Sequence, residues 1–394
     1  MDPYIFIITI CIVVILSYFF NIINRKFNIP SILLLILTGI TIHYLLKYYS
    51  VYYVLPVNLL SIIGAFGLIL IVLEASLELE LVREKRKLIS KAFLSSMFQI
   101  LLSLFVIGTL LFYLTGADFK KSLINAIPLS VISSAIAISG IHTLNEVKKE
   151  FITYEATFSD ILGILVFNFV VIYNITNLLN ISGFLLSILI TIIFSILISF
   201  ALIFILNKIK LNAKIIFLLS ILILLYSTGE FLHLSSLILV LIFGLIINNH
   251  HYITKRYDKY FEIDNLDDDI KIFKTITKEL SFLMRTIFFT LFGYSMRLSL
   301  LADNNTLVIG ASILVTIYFL RFLYLKIVIK SHLFPEIFIA PRGLITMVLY
   351  YSIPSYYRID QVKDGVLIFV IIATSLLMML GLLLTKPETI KEFS

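Results

Sequence analysis

The sequence predicts an all-α protein that crosses a membrane about thirteen times and is built from two inverted six-helix repeats. Three observations predict it: the composition, the serial apolar runs, and the distribution of basic residues between the loops. Of 394 residues, 60% are apolar and only 14% charged, and mean hydropathy is +1.06. Soluble domains average about a quarter charged. A soluble fold of this size could not keep so much Leu, Ile, Val and Phe from water.

A span needs about 20 mainly apolar residues. Runs of that kind lie at roughly 4–24, 29–46, 57–77, 92–115, 121–143, 151–177, 182–207, 213–228, 234–249, 280–300, 306–330, 333–353 and 364–385. The run at 213–228 is short, which leaves twelve as the competing count. The first run lacks a basic leader and a small-residue cleavage site, so it reads as a span and not as a signal peptide. With the N-terminus outside, 22 loop Lys and Arg fall inside and 6 outside. That asymmetry matches the positive-inside rule and puts the C-terminus in the cytoplasm of a multi-pass plasma or inner membrane protein. The net charge of +7 therefore reflects orientation, and no nucleic-acid partner is expected. There is no Trp, so Tyr48, Tyr49, Tyr52 and Tyr53 are expected at the lipid headgroups.

Two segment pairs repeat seven spans apart. Ser31–Gly39 resembles Ser236–Gly244, and Ser76–Leu81 resembles Ser295–Leu300. An odd offset makes the copies antiparallel across the membrane, which divides the single domain 1–394 into repeat one (1–177), a linker helix (182–207) and repeat two (213–385). Spans 5 and 12 then correspond, and each carries a Pro (Pro128, Pro341) beside small polar residues, the pattern of interrupted helices at a midplane site. The polar stretch 250–279 reads as an amphipathic surface helix joining spans 9 and 10, with Ile263, Leu266, Ile270, Phe273 and Ile276 on its apolar face. No soluble regulatory domain is expected. The lack of Gly-x-x-x-x-Gly-Lys-[Ser/Thr] argues against an ATP-driven pump. A single Cys (Cys11) and no His-x-x-x-His pairing remove the usual zinc and redox sites, and no cofactor is expected.

Four charged residues within the spans carry the functional reading. Asp160 lies about ten residues into span 6, ~15 Å deep. An isolated Asp at that depth costs roughly 2.5–3.5 kcal/mol on insertion scales. It is either one half of a structural salt bridge or a site for a proton or cation, and intramembrane carboxylates by default mark ion pathways. Arg321 in span 11 and Arg342 in span 12 come near the same depth. They are expected to neutralise the bare Asp160 and to satisfy carbonyls freed where span 12 breaks at Pro341 and Gly343. Glu155 precedes Asp160 by five residues, about 140° around the helix; it either lines the cytoplasmic entrance or pairs with Lys148 or Lys149. Arg285 is expected to snorkel at the start of span 10. Glu74 and Glu78 read as partners of Arg83 and Lys85. Ser133, Ser134, Thr157 and Ser159 are candidate oxygen ligands, although membrane serines often bond their own helix.

At these residues the chain resembles the monovalent cation:proton antiporter superfamily, sodium/proton exchanger type. The resemblance rests on Ile29–Leu34, Gly67 to Leu79, Ser133–Ala137, Ser159-Asp160, Phe288–Gly293, Arg321 and Pro341–Leu344, in that order along the whole chain. It implies a homodimer in membrane lipid, a mobile core of spans 4–6 and 11–13, crossed and partly unwound spans 5 and 12, and an acid on span 6 that holds either H⁺ or a cation. Members usually carry Asn-Asp or Asp-Asp where this chain has Ser159-Asp160. They often carry Thr-Asp or Asp-Pro where it has Ser133-Ser134, closer to potassium-linked members. The expected activity is exchange of Na⁺, or of Li⁺ or K⁺, for H⁺ in pH homeostasis. Asp160 would be the shared site, and one carboxylate implies one-for-one exchange. A K⁺-selective antiporter or a cation channel on the same spans is the alternative. An enzyme is not expected, because no paired catalytic residues accompany Asp160.

Overall fold

The computed structural model describes residues 3–27, 30–49, 57–79, 83–141, 144–172, 178–208, 214–231, 236–250, 263–296, 298–329 and 334–384. Those residues hold helices and no strand. In order they are α1 (Pro3–Phe27), α2 (Ser31–Tyr48), α3 (Val57–Glu78), α4 (Arg86–Thr115), α5 (Phe119–Ser130), α6 (Ser134–Gly140), α7 (Glu146–Ile172), α8 (Leu178–Lys208), α9 (Lys214–Phe231), α10 (Ser236–Asn248), α11 (Ile263–Ser295), α12 (Asn304–Tyr324), α13 (Leu344–Tyr351) and α14 (Asp364–Leu383).

Every apolar run has its helix, and the short run at 213–228 forms α9 in its own right. Among the described residues, seven helical stretches are long and apolar enough to cross a membrane by length and composition, and three shorter apolar helices accompany them. Runs 5 and 12 are interrupted. The first is α5 and α6 around an irregular 131–133; the second is a 3₁₀ turn (Glu336–Phe338), an irregular 339–343, and α13.

The helix expected to join spans 9 and 10 is, over 263–279, continuous with span 10. Residues 263–295 make one helix of 33 residues. No Pro or Gly interrupts 263–292, and buried Ile270, Phe273, Thr277 and Ser281 recur every three or four residues. The buried stripe of the polar half thus runs straight into the apolar half. Residues 251–262 lie outside the described residues, as do Tyr52 and Tyr53; Tyr48 and Tyr49 are exposed.

The chain separates into two compact units, 1–65 with 88–167 and 285–394, and 66–87 with 168–284. In the second, α10 packs on α8 and α9. Asn248 and Asn249 donate to the Leu79 carbonyl at the end of α3 (2.9 and 3.1 Å). Glu74 accepts from Ser281 (2.6 Å), and Glu78 lies 3.8 Å from Lys278, contacts with α11 that the expected pairing with Arg83 and Lys85 did not include.

The first unit holds the interrupted helices at its centre. Almost all of Phe119–Gly140 is buried, so this stretch is enclosed by protein and irregular backbone is tolerated in it. Ile124, Ala126, Ile127, Val131, Ile136, Ala340, Met347, Val370 and Ile371 are all fully buried around it. Span 2 meets span 10 at two glycines: a methyl on Gly39 would run into the Thr290 carbonyl, and one on Gly293 into the Ile36 carbonyl. Only glycine allows that approach.

Candidate functional site

A broken helix frees backbone groups that must find partners in a dry interior. In span 5 three successive amides do so. Ile132 N–H donates to Ser159 Oγ (2.9 Å), Ser133 N–H to the Pro341 carbonyl (2.9 Å), and Ser134 N–H to Asp160 Oδ2 (3.1 Å). Two acceptors come from α7, the third from the irregular part of span 12. The interruptions of spans 5 and 12 are therefore hydrogen-bonded to each other, and α7 holds one of them open.

Arg342 serves the other side of the crossing. It is 1% exposed, donates from Nε to the Leu129 carbonyl (2.7 Å) at the end of α5, and from Nη1 to the Ala340 carbonyl (2.8 Å). Its own N–H reaches Thr374 Oγ1 on α14 (3.0 Å). Gly343 lies against Ser133, where any side chain would meet the Ser133 hydroxyl.

Asp160 is 4% exposed, and its Oδ1 has no hydrogen-bond partner. Among the candidate ligands two further buried oxygens share that condition, Ser133 Oγ and Thr157 Oγ1. Thr157 precedes Asp160 by three residues, so the two share a face of α7. Of the candidate ligands, Ser133, Thr157 and Asp160 thus hold open oxygen valences. Ser159 differs, because its hydroxyl oxygen accepts from the Ile132 amide and so positions the backbone. Ser134 contributes its amide.

Arg321 is where the structure departs from expectation. It does not neutralise Asp160. Its Nη1 and Nη2 clasp Glu155 Oε1 and Oε2 (3.0 and 2.9 Å), Nη1 also donates to Gln99 Oε1 (2.6 Å), and Nε to the Glu336 carbonyl (3.2 Å). Side-chain exposure is 1% for Arg321 and 2% for Glu155. The physical reason is angular: Glu155 and Asp160 point about 140° apart on α7, and α12 lies on the Glu155 side. Glu155 accordingly pairs with neither basic neighbour. Lys148 bridges to Glu336 (2.9 Å) and Lys149 to Glu146 (2.8 Å).

Sequence reasoning missed Ser95, Gln99 and Glu336. Ser95 donates to Glu155 Oε1 from α4. A signal existed: Ser95, Gln99 and Ser103 recur every four residues, a buried polar stripe on an otherwise apolar helix. Among the described residues no three His, Cys, Asp or Glu side chains gather as a metal centre would need. The site is one carboxylate with hydroxyls and backbone groups, an oxygen environment suited to hard cations and not to soft metals.

The whole chain has known counterparts. Two determinations of the sodium proton antiporter MjNhaP1 from Methanocaldococcus jannaschii, one of them at pH 8, superpose with a TM-score of 0.70 each, at 18% and 19% identity. Each match covers 98% of this chain and 96% of that one, which shows a shared fold. No curated protein matches in sequence. The family model described as sodium/hydrogen exchanger, transmembrane, matches residues 8–386. The chain belongs to the sodium/hydrogen exchanger family and is a membrane transporter of the cation:proton antiporter kind, not an enzyme.

Proposed function

We propose that this antiporter exchanges Na⁺ for H⁺ one for one by alternating access, with Asp160 as the shared site and Ser133 and Thr157 as further oxygen ligands. Li⁺ and K⁺ are the competing cations. The observation that carries the reading is the set of three buried open oxygens, Asp160 Oδ1, Ser133 Oγ and Thr157 Oγ1. A buried polar atom without a partner costs free energy and calls for an explanation such as a bound ion or proton. A proton or a small cation answers that need equally, and one carboxylate oxygen cannot hold both.

The Glu155–Arg321 clasp supports the stoichiometry. A second titrating carboxylate would allow a second proton, but Glu155 already has both oxygens engaged by an Arg, which keeps its charge. The protein works as a homodimer in the plasma or inner membrane with its N-terminus outside, serving pH homeostasis. The positive-inside distribution supports that orientation.

The test is everted vesicles carrying a pH-sensitive dye, challenged with Na⁺, Li⁺ and K⁺ in turn. Na⁺ is expected to give the largest dequenching, and Asp160→Asn none with any cation. Undiminished exchange by the Asn variant would remove Asp160 from the site. A sustained current from the parent on a solid-supported membrane would overturn the one-for-one exchange.

A further inference from the structure

We infer that Glu336 is a positioning residue for the ion site, acting through its ion pair with Lys148, which straps the irregular part of span 12 along α7. The inference rests on Asp160 being the exchange site. It starts from two ties made along one helix. Lys148 and Asp160 are twelve residues apart on α7, about 18 Å along the axis. Glu336 and Pro341 both lie in the non-α-helical part of span 12, which turns tightly at Ile339, where Ala340 N–H donates to the Phe338 carbonyl (3.0 Å).

One end of that stretch is tied to α7 and the other to span 5, which is itself bonded to α7. At one end Lys148 Nζ meets Glu336 Oε1 at 2.9 Å, with side-chain exposures of 23% and 10%. At the other, the Pro341 carbonyl accepts from Ser133 N–H, and the next amide, Ser134 N–H, donates to Asp160. A closed ring results: Lys148, Glu336, the strap 336–341, Ser133-Ser134, Asp160 and back along α7. Arg321 ties the Glu336 end a second time, because it donates to the Glu336 carbonyl while clasping Glu155, which lies between Lys148 and Asp160 on α7. In such a ring the place of the Pro341 carbonyl, and hence of the Ser133 hydroxyl and the Ser134 amide beside Asp160, depends on the Glu336 anchor.

The anchor is electrostatic and local. Lys148 sits in the first turn of α7, where the helix dipole disfavours a cation, so its position there calls for a carboxylate opposite. Glu336 supplies one from a different part of the chain. Glu336 touches neither ion nor proton site; its effect reaches the cation through the geometry of Asp160's neighbours. Residues that orient ligands in this indirect way typically change metal affinity about 10–100-fold when replaced.

The experiment is full-length protein in proteoliposomes, with Na⁺-driven proton movement measured over a range of Na⁺. The variants are Glu336→Gln, Lys148→Met, the exchanged pair Lys148→Glu with Glu336→Lys, and Asp160→Asn as control. Each single variant is expected to raise the Na⁺ KM about tenfold with kcat within about twofold of the parent. The exchanged pair is expected to return KM to near the parental value. A merely structural role would lower the active fraction, and so kcat, with KM unmoved, which would overturn the inference. So would an exchanged pair whose KM stays tenfold high. If Glu336→Gln does not fold, the exchanged pair alone decides by the same criterion. Exchange by the Asp160→Asn control would instead show that the site itself is misassigned, whatever Glu336 does.

Discussion

Removing Arg321 alone should damage the protein far more than removing it together with Glu155. Arg321→Met deletes a guanidinium that makes four hydrogen bonds, to Glu336, Gln99 and both oxygens of Glu155. It leaves a carboxylate with 2% side-chain exposure and no counter-charge beside it. Leaving one member of a buried pair typically costs about 3–5 kcal/mol, whereas replacing both by apolar residues of similar volume is often neutral. Unfolding entropy near 2.1 cal/mol/K per residue makes 4 kcal/mol equivalent to a fall of about 5 °C in the melting midpoint of a chain this long. The double variant Arg321→Met/Glu155→Leu should regain most of it. The chain has no Trp for intrinsic fluorescence, so the assay is the fraction surviving size-exclusion chromatography after heating in detergent. An Arg321→Met variant as stable as the parent would refute the argument. Rescue by Asp160→Asn and not by Glu155→Leu would refute it differently, by making Asp160 the true counter-ion.

Two further outcomes follow from the crossing and from the helix contact beside it. Arg342→Ala should lower yield and midpoint as well as transport, since it orphans the Leu129 and Ala340 carbonyls at about 1–3 kcal/mol each; a parental midpoint in detergent would show that those carbonyls find other partners. Gly293→Ala should cost at least the 1–3 kcal/mol typical of an overfilled core, because the new methyl meets the Ile36 backbone, which has no rotamer to yield; an unchanged midpoint would mean that α2 and α11 can separate freely.

Most of the fold is legible in the sequence because membrane burial writes itself as long apolar runs, and each of the thirteen runs has its helix. The interruption of span 12 is legible too, since Pro341 lacks an N–H and Gly343 tolerates close packing. Span 5 is harder. Pro128 lies inside α5, and the irregular stretch begins three residues later at Val131. Val131, Ile132 and Ser133 are not helix breakers of the Pro or Gly kind. What keeps the stretch out of a helix is tertiary: Ser159, Pro341 and Asp160 take the amides of Ile132, Ser133 and Ser134. The partner of Arg321 was illegible for a related reason. Depth along a helix can be counted from sequence, and the count sets Asp160 and Arg321 near one another. Which face of α12 meets which face of α7 depends on packing, and that chose Glu155. Glu336 fell within an apolar run without a signal of its own, since the Lys148 it meets is 188 positions away.

The pairing that sequence could not reach also sharpens how exchange would be coupled. Three cations (Lys148, Arg321 and Arg342) and three carboxylates (Glu155, Glu336 and Asp160) share the first unit around the crossing. With Asp160 bare their formal charges cancel. With a proton or a monovalent cation bound, the sum is +1 in either case. If Asp160 is the exchange site as proposed, net charge on these six groups is not what would keep an empty core from crossing. On the proposed reading that barrier is local: Asp160 Oδ1, Ser133 Oγ and Thr157 Oγ1 lack partners until a ligand arrives, and in a low-dielectric interior such an atom is far more costly than in water. On the proposed one-for-one exchange both loaded forms carry the same charge, so the membrane potential would do equal and opposite work on the two half-cycles, about 2.3 kcal/mol per charge per 100 mV in each direction. The potential would then cancel over a full cycle, and on that reading the two concentration gradients alone would set the direction of exchange.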